Sequence, residues 1–116
     1  MSTRAVIKIE GLKFAKIYKH SDGYPEGMLH WLEEFNQSFA ELRGDDPMYK
    51  FAQILRHSTK DFPIDTPDNS EYYKEGHEFL GWGVTEYNSK CGEEFVYILK
   101  KDGTVTVRKN IIVELN

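Results

Sequence analysis

Side chains able to bind ligands or transfer protons are concentrated in residues 19–27 and in the helical turn that follows. They comprise two imidazoles, two carboxylates and a phenol: His20, Asp22, Tyr24, Glu26 and His30. A histidine placed beside a carboxylate can exchange protons with a substrate when both groups face a pocket. The pattern marks these five as candidate ligand-binding residues, and it assigns no catalytic residue.

The same stretch also has an architectural interpretation. Asp22 can cap the turn, and Gly23 can supply a backbone conformation with positive φ. Tyr24-Pro25 can then direct the chain into a helix. A rigid corner is a suitable place to mount a site, so the two interpretations are compatible.

Two strands are predicted before this corner. Residues 4–9 alternate between apolar and polar side chains, as a half-buried strand does. Glu10-Gly11 turns the chain, and residues 12–18 predict a second strand paired with the first. Apolar side chains on both faces of the second strand predict that it is central in a sheet.

The clearest helix signal follows the corner. Pro25 suits the first helical turn, and Gly44 suits the position just past the last turn. Asp46-Pro47 signals the start of a second, shorter helix. The predicted apolar stripe of the first helix is Met28, Trp31, Leu32, Phe35, Phe39 and Leu42, and that of the second is Met48, Phe51, Ala52 and Leu55.

The remainder of the chain predicts a long loop and then strands. Residues 59–76 contain prolines and acidic residues that break any regular period, so they predict a loop. Four strands are predicted after it, over residues 79–87, 95–99, 104–108 and 111–115. A hairpin loop is predicted at 88–92, and Asp102-Gly103 predicts a two-residue hairpin turn.

This order of elements, ββ–αα–βββ(β), predicts an α+β protein. We expect an antiparallel or mixed sheet of about five to six strands, with the two helices packed on one face. A chain of 116 residues is most simply a single domain, covering residues 1–116.

Motifs of known chemistry are missing from the sequence. It contains no P-loop, no GxGxxG, no HExxH, no GxSxG and no paired CxxC. The four histidines lack the spacing of metal ligands, although His20, Asp22 and His30 could face one cleft, which His77-Glu78 could close. We therefore predict no metal and no cofactor, and Cys91, the single cysteine, cannot form an internal disulfide.

The charge distribution bears on possible partners. Residues 1–20 carry five basic side chains against Glu10, whereas residues 61–94 carry nine acidic side chains against two lysines. The net charge of the whole chain is −4, which argues against a dedicated nucleic-acid-binding protein. No segment has the length and apolarity of a membrane span or a signal peptide, so we expect a cytoplasmic protein that does not enter membranes.

Two segments of the chain resemble a known group. The chain opens with Met-Ser-Thr-Arg-Ala-Val-Ile-Lys, and residues 18–27 read Tyr-Lys-His-Ser-Asp-Gly-Tyr-Pro-Glu-Gly. These segments are similar to a family of uncharacterised small proteins from bacteria, archaea and their viruses, which begin with a Ser-Thr-Arg-Ala strand and continue into a Tyr-(Lys/Arg)-His-x-Asp-Gly-Tyr-Pro corner. The resemblance covers about the first quarter of the chain. It implies a prokaryotic or mobile-element origin and implies no activity.

Three hypotheses on function follow from the sequence. The first is a non-enzymatic protein that binds a small ligand or a protein partner at the corner, bordered by the 59–76 loop. The second is a small hydrolase or nucleotide-handling enzyme that uses His20 and Asp22. The third is a nucleic-acid-associated protein that uses the basic N-terminal strands. The oligomeric state is left open.

Overall fold

The computed structural model describes residues 3–20, 22–58 and 82–110. The predicted loop over 59–76, the predicted last strand over 111–115 and the pair His77-Glu78 lie outside these residues. Five strands and two helices are described, in the order β1 (Ala5–Ile9), β2 (Ala15–Lys19), α1 (Pro25–Leu42), α2 (Pro47–Ser58), β3 (Trp82–Glu86), β4 (Phe95–Leu99) and β5 (Val105–Lys109). The predicted α+β class and the predicted order of elements are confirmed.

The five strands form one mixed sheet in the order β3-β2-β1-β4-β5. β1 pairs antiparallel with β2 and parallel with β4. The two outer pairs, β2 with β3 and β4 with β5, are antiparallel. β1 is therefore the central strand, and its side chains are buried apart from a half-buried Lys8.

Both helices pack on one face of the sheet, as predicted. Ile7 is paired in register with Ile17 on one side and with Tyr97 on the other, so these three side chains share that face. The core there comprises Ala5, Ile7, Ile17, Phe95, Tyr97 and Leu99 from the sheet, Met28 and Leu32 from α1, and Ile54 from α2. Burial of this apolar surface is the main favourable term in folding.

The ends of α1 match their sequence signals. Pro25 occupies the first helical position. Gly44 has φ of +78°, and its N–H donates to the carbonyl oxygens of Phe39 and Ala40 at 3.2 Å. A positive φ is a conformation that glycine adopts at little cost, which is why the helix ends there.

The predicted apolar stripes are wrong where the two helices meet. Leu42 is 87% exposed and Met48 is 59% exposed, and Ala52 is also on the surface. Over residues 47–56 of α2 the buried positions are Lys50 and Ile54, one turn apart, and Phe51 and Leu55 of the predicted stripe pack half-buried against the core. Lys50 can take a buried position because its aliphatic stem packs like an apolar side chain.

The predicted hairpin at residues 88–92 is also wrong. β3 is antiparallel to β2, which is antiparallel to β1, and β1 is parallel to β4. β3 and β4 therefore run in the same direction, and residues 87–94 must cross the sheet from one end to the other. At the two ends of this crossing, Tyr87 N–H donates to the carbonyl oxygen of Phe14 (3.2 Å), and Glu94 N–H donates to that of Arg4 (2.8 Å).

The crossing segment lies over the face opposite the helices. Ile17 points into the core beneath the helices, so its neighbour Lys16 points to the opposite face. There the ammonium of Lys16 donates to the carbonyl oxygen of Ser89 and lies 3.9 Å from the carboxylate of Glu93. Lys16 is nearly fully buried, and these contacts compensate its charge.

The predicted hairpin between the last two described strands is confirmed, with a longer turn. β4 and β5 are antiparallel, and Leu99 pairs with Val105. The N–H of Lys100 donates to the carbonyl oxygen of Thr104 (2.8 Å), so the turn contains three residues rather than two. Gly103 adopts φ of +96° in it.

Candidate functional site

The backbone of the corner between β2 and α1 is held from two sides at Gly23. Its N–H donates to the carbonyl oxygen of Thr3 at 2.9 Å. Its carbonyl oxygen accepts a hydrogen bond of 2.6 Å from the hydroxyl of Tyr97, a buried core residue of β4. Both partners are distant in the sequence, so the position of the corner is set by the strands it rests on.

The prediction that Gly23 supplies the positive φ is wrong, because Asp22 does, with φ of +58°. Asp is one of the few residues besides glycine that tolerate this conformation. Glycine is required at 23 for space. A Cβ there would lie 2.5 Å from the Cβ of Ala5 and 2.9 Å from the carbonyl oxygen of Thr3.

The helix α1 begins without a side-chain cap. Tyr24 is the N-cap residue, and its side chain makes no capping hydrogen bond. Its carbonyl oxygen accepts hydrogen bonds from the N–H groups of Gly27 and Met28, at 3.0 and 3.1 Å. The carboxylate of Asp22, predicted to cap the turn, forms no hydrogen bond with another described residue. Glu26 lies in the first turn, where its charge complements the helix dipole as predicted.

The candidate side chains of the corner are exposed. His20 shares a hydrogen bond of 2.8 Å between its Nδ1 and the hydroxyl of Tyr18. Asp22 and Glu26 are both on the surface, and neither carboxylate forms a hydrogen bond or ion pair with another described residue. Tyr24 is 40% exposed, and its ring lies against the backbone at Gly27, where an added Cβ would be 3.4 Å from Tyr24 Cε2.

His30 is engaged on the surface of its own helix. Its side chain is 85% exposed, and its Nε2 lies 3.0 Å from Oε1 of Glu34, one turn further along. The structure therefore brings His20, Asp22, Tyr24 and Glu26 to one corner and leaves His30 paired on the helix. Across residues 3–20, 22–58 and 82–110, no three His, Cys, Asp or Glu side chains are close enough to hold a metal ion.

Tyr97 connects the corner to the core. Burial raises the pKa of Tyr97 above its usual value, and the negative charge of Glu26 raises it further. The hydroxyl consequently stays protonated over the physiological pH range and remains the donor to Gly23.

Sequence reasoning missed a buried polar contact at the far end of α1. Asn36 is fully buried, and its Nδ2 donates to the carbonyl oxygens of Lys100 (2.9 Å) and Thr104 (2.8 Å). Its Oδ1 is buried without a hydrogen-bond partner among the described residues. Its burial was indicated in the sequence by its spacing, because Asn36 lies four residues after Leu32 and three before Phe39, inside the apolar stripe.

Lys50 of α2 reaches the same hairpin. Its ammonium lies 3.5 Å from the carbonyl oxygen of Lys100, and burial lowers its pKa, while the charges of Asp45 and Glu10 oppose that shift. Side chains from both helices thus contact one carbonyl group of the β4–β5 turn. We interpret this cluster as the attachment of the hairpin to the helices.

The described residues thus form an α+β protein that has a five-stranded mixed sheet and an exposed polar corner between β2 and α1. Comparison with protein-family models, with curated proteins and with solved structures finds no match to this chain. Within the described residues, neither helix is long and apolar enough to cross a membrane.

Proposed function

We propose that this chain is a non-enzymatic binding protein that recognises a protein partner at the corner between β2 and α1. The observation that carries the proposal is the contrast between the fixed backbone of Gly23 and the exposed side chains on either side of it. Gly23 is hydrogen-bonded through both its N–H and its carbonyl oxygen, whereas Asp22 and Glu26 extend into solvent. A backbone fixed before binding loses little entropy when a partner docks.

The exposure of these side chains favours a protein partner over a small ligand. A site for a small molecule encloses roughly 70–90% of the ligand surface, which needs concave walls. Tyr24 and the two carboxylates instead stand on the surface, as do residues that another protein contacts. Tyrosine is also enriched among the residues that contribute most to binding energy at protein interfaces.

The charge of the corner indicates what the partner presents. Asp22 and Glu26 are carboxylates without a cationic partner among the described residues. An arginine or lysine of the partner can pair with them, and arginine binds a carboxylate through two parallel hydrogen bonds. We therefore propose a basic segment of a protein as the occupant.

The two other hypotheses have less support. An enzyme using His20 and Asp22 needs them to act as a pair, but the imidazole of His20 is hydrogen-bonded to Tyr18. A nucleic-acid-associated protein needs the basic strands to display their charges, but Lys16 and Lys19 are both buried. A cytoplasmic location and a prokaryotic or mobile-element origin remain part of the proposal, from composition and resemblance respectively.

The proposal can be tested with a library of random peptides displayed on phage, selected against the immobilised chain. We expect the selected peptides to be rich in arginine and lysine. They should lose at least about tenfold in affinity for Asp22→Gly and for Tyr24→Ala. Asp22→Gly is informative because glycine adopts φ of +58° without strain, so the carboxylate is removed while the backbone is kept.

The matched control is Glu33→Gln, which removes an exposed carboxylate from α1 outside the corner. It should leave both the affinity and the melting temperature unchanged. Selected peptides that bind Asp22→Gly, Tyr24→Ala and the original chain equally well would show that recognition takes place elsewhere on the surface.

A further inference from the structure

β5 lies at one edge of the described sheet, beyond β4, and pairs with no other described strand. Its first residue, Val105, is half-buried, and the four residues that follow are exposed. A strand at the edge of a sheet presents backbone N–H and carbonyl groups to which another extended segment can bond. We call the outer side of Val105–Lys109 the β5 edge.

The hydrogen bonds at the two ends of the β4–β5 pair show which backbone groups form the β5 edge. The N–H of Lys100 donates to the carbonyl oxygen of Thr104 (2.8 Å), and the N–H of Asn110 donates to that of Glu94 (2.7 Å). Residues of an antiparallel strand direct their backbone groups alternately toward the neighbouring strand and away from it, so every second residue from Thr104 to Asn110 faces β4. The residues that face outward are Val105, Val107 and Lys109. Within the described part of the chain, their outward groups have no hydrogen-bond partner.

The side chains of β5 alternate between the two faces of the sheet. Val105 packs against the core beneath the helices, so Val107 and Lys109 are on that same face. Val107 is 39% exposed. Thr106 and Arg108 are exposed on the opposite face. A strand bonded to the β5 edge would therefore place one of its side chains beside Val107, where an apolar group would continue the core outward.

Arg108 and Lys109 give the β5 edge a positive charge on both faces of the sheet. The guanidinium of Arg108 donates to the side-chain oxygen of Asn110 at 3.3 Å, and the ammonium of Lys109 lies 5.9 Å from the ring centroid of Phe95. Neither cation forms an ion pair with another described residue. Glu94, on the same face of the sheet as Arg108, is half-buried and is not paired with it. Both cations can therefore pair with carboxylates of a partner.

We propose that the β5 edge binds an extended, acidic segment of another protein, which adds to the sheet as a further antiparallel strand. The N–H and carbonyl groups of the three outward-facing residues bond to this segment. Its side chains opposite Arg108 and Lys109 are carboxylates, and those opposite Val105 and Val107 are apolar. The backbone bonds supply affinity, and the carboxylates supply specificity.

The charge of β5 disfavours a second copy of this chain as the occupant. Antiparallel pairing of two β5 edges about Val107 would place Arg108 of both copies on one face, at diagonal positions of adjacent strands. Two cations side by side repel each other, and charged side chains on edge strands commonly prevent pairing between copies. An acidic strand meets opposite charges instead.

The β5 edge is separate from the corner between β2 and α1. Two strands, β1 and β4, lie between β2 and β5 in the sheet. The corner presents carboxylates, whereas the β5 edge presents cations, so the two surfaces select partners of opposite charge. Failure of one proposal therefore leaves the other intact.

Amide hydrogen exchange of the free chain, followed by NMR, is the first test. The amides of Thr106 and Arg108 face β4, so we expect them to exchange slowly. Those of Val107 and Lys109 face outward and should exchange rapidly. Slow exchange at Val107 and Lys109 in the free chain would show that the β5 edge is already covered, and it would overturn the proposal.

The second test adds a peptide to the chain at up to about 1 mM. The probe is Glu-Glu-Val-Thr-Val with both ends blocked, which in antiparallel pairing sets its two carboxylates against Lys109 and Arg108. We expect it to slow exchange at Val107 and Lys109 and to leave Thr106 and Arg108 unchanged. The matched control peptide, Lys-Lys-Val-Thr-Val, should bind at least about tenfold more weakly.

Two variants locate the binding on β5. Val107→Pro removes an outward N–H, and proline is tolerated in an edge strand where the N–H faces solvent. This variant should stay folded by circular dichroism and should bind the acidic peptide at least about tenfold more weakly. The double variant Arg108→Glu/Lys109→Glu should reverse the preference between the two peptides.

The matched control for the double variant is Lys13→Glu/Lys90→Glu, which makes the same change of charge at exposed positions outside β5. It should keep the preference for the acidic peptide. The proposal would be overturned by any of three results: an acidic peptide that slows no exchange at Val107 and Lys109, binding that survives Val107→Pro in a folded chain, or a preference that Arg108→Glu/Lys109→Glu does not change.

Discussion

Replacing Gly23 with alanine tests whether the corner is set by close contact with β1. The added Cβ would lie 2.5 Å from the Cβ of Ala5, 2.9 Å from the carbonyl oxygen of Thr3 and 3.1 Å from the backbone nitrogen of Ala5. Two of these three atoms belong to backbone, which cannot rotate away. The corner must therefore move off the strand to accommodate a single methyl group.

The cost can be estimated from two effects. Forcing an extra methyl group into a packed site costs about 1–3 kcal/mol. Moving the corner also lengthens the hydrogen bonds from Gly23 to Thr3 and from Tyr97 to Gly23, each contributing about 0.5–1.5 kcal/mol. We expect Gly23→Ala to lower the free energy of unfolding by about 3 kcal/mol.

Urea unfolding followed by tryptophan fluorescence measures this change. Gly83→Ala is the matched control, because a Cβ on Gly83 would meet no atom within 4 Å, and we expect no loss of stability from it. The double variant Ala5→Gly/Gly23→Ala should recover part of the loss, since it removes the nearest contact and leaves the two backbone contacts. A loss below about 1 kcal/mol for Gly23→Ala would refute the reasoning, because the corner would then be free to shift.

Two further predictions concern buried polar groups. Asn36→Ala should lower the free energy of unfolding by about 2–3 kcal/mol, because two buried hydrogen bonds from its amide, to the carbonyl oxygens of Lys100 and Thr104, are lost. Gln37→Ala, at an exposed neighbouring position, should change the free energy of unfolding by less than about 0.5 kcal/mol. Equal effects of the two substitutions would contradict the structural role of Asn36. For Tyr97, burial raises the pKa, so above about pH 10 the unfolded chain loses the phenolic proton while the folded chain keeps it, and stability should fall as the pH rises. Tyr97→Phe should be less stable than the original chain at neutral pH and should lose less stability between pH 9 and about 11. The free energy of unfolding is measured by urea titration at each pH. If it falls with pH equally steeply in Tyr97→Phe and in the original chain, the role of Tyr97 is contradicted.

The helix α1 was predictable because its signals are local. Its apolar residues recur at helical spacing, Pro25 fits the start and Gly44 fits the end, and each of these depends only on neighbours in the sequence. The exposed state of Leu42 was not predictable in the same way. It continues the stripe of α1 by spacing, but in the last turn of the helix its side chain is 87% exposed.

The path of residues 87–94 was not predictable because it depends on strand order. Turn-forming residues such as Asn88 and Gly92 are equally compatible with a hairpin and with a longer crossing. The choice is made by β1, which pairs with β4 and leaves β3 on the far side of β2. The crossing explains how Lys16, a lysine within a strand, can be buried. Its charge needs hydrogen-bond acceptors there, and the crossing segment supplies them.

The corner itself was partly predictable. Its place between a strand and a helix followed from the glycine and proline content, but the positive φ was predicted at Gly23 and is adopted by Asp22. Which of the two adopts that conformation depends on the approach of β1, a contact between residues 18 positions apart. The pairing of His30 with Glu34 was visible in the sequence as a spacing of four on an exposed helix face, and it separates His30 from the other candidates.

The way the corner is attached bears on how it can work as a binding surface. Its backbone is held by Thr3 and Tyr97, which bond to the N–H and the carbonyl oxygen of Gly23. These are backbone atoms, so substitutions at neighbouring positions do not remove them. The carboxylates of Asp22 and Glu26 are not partners in these bonds. The hydrogen bonds that hold the corner and the side chains proposed for recognition therefore involve different atoms of the same few residues. Asp22 can be exchanged for glycine or asparagine, which tolerate its positive φ, without loss of these hydrogen bonds. An enclosed catalytic site would not have this freedom, because its side chains would have to hold each other in position.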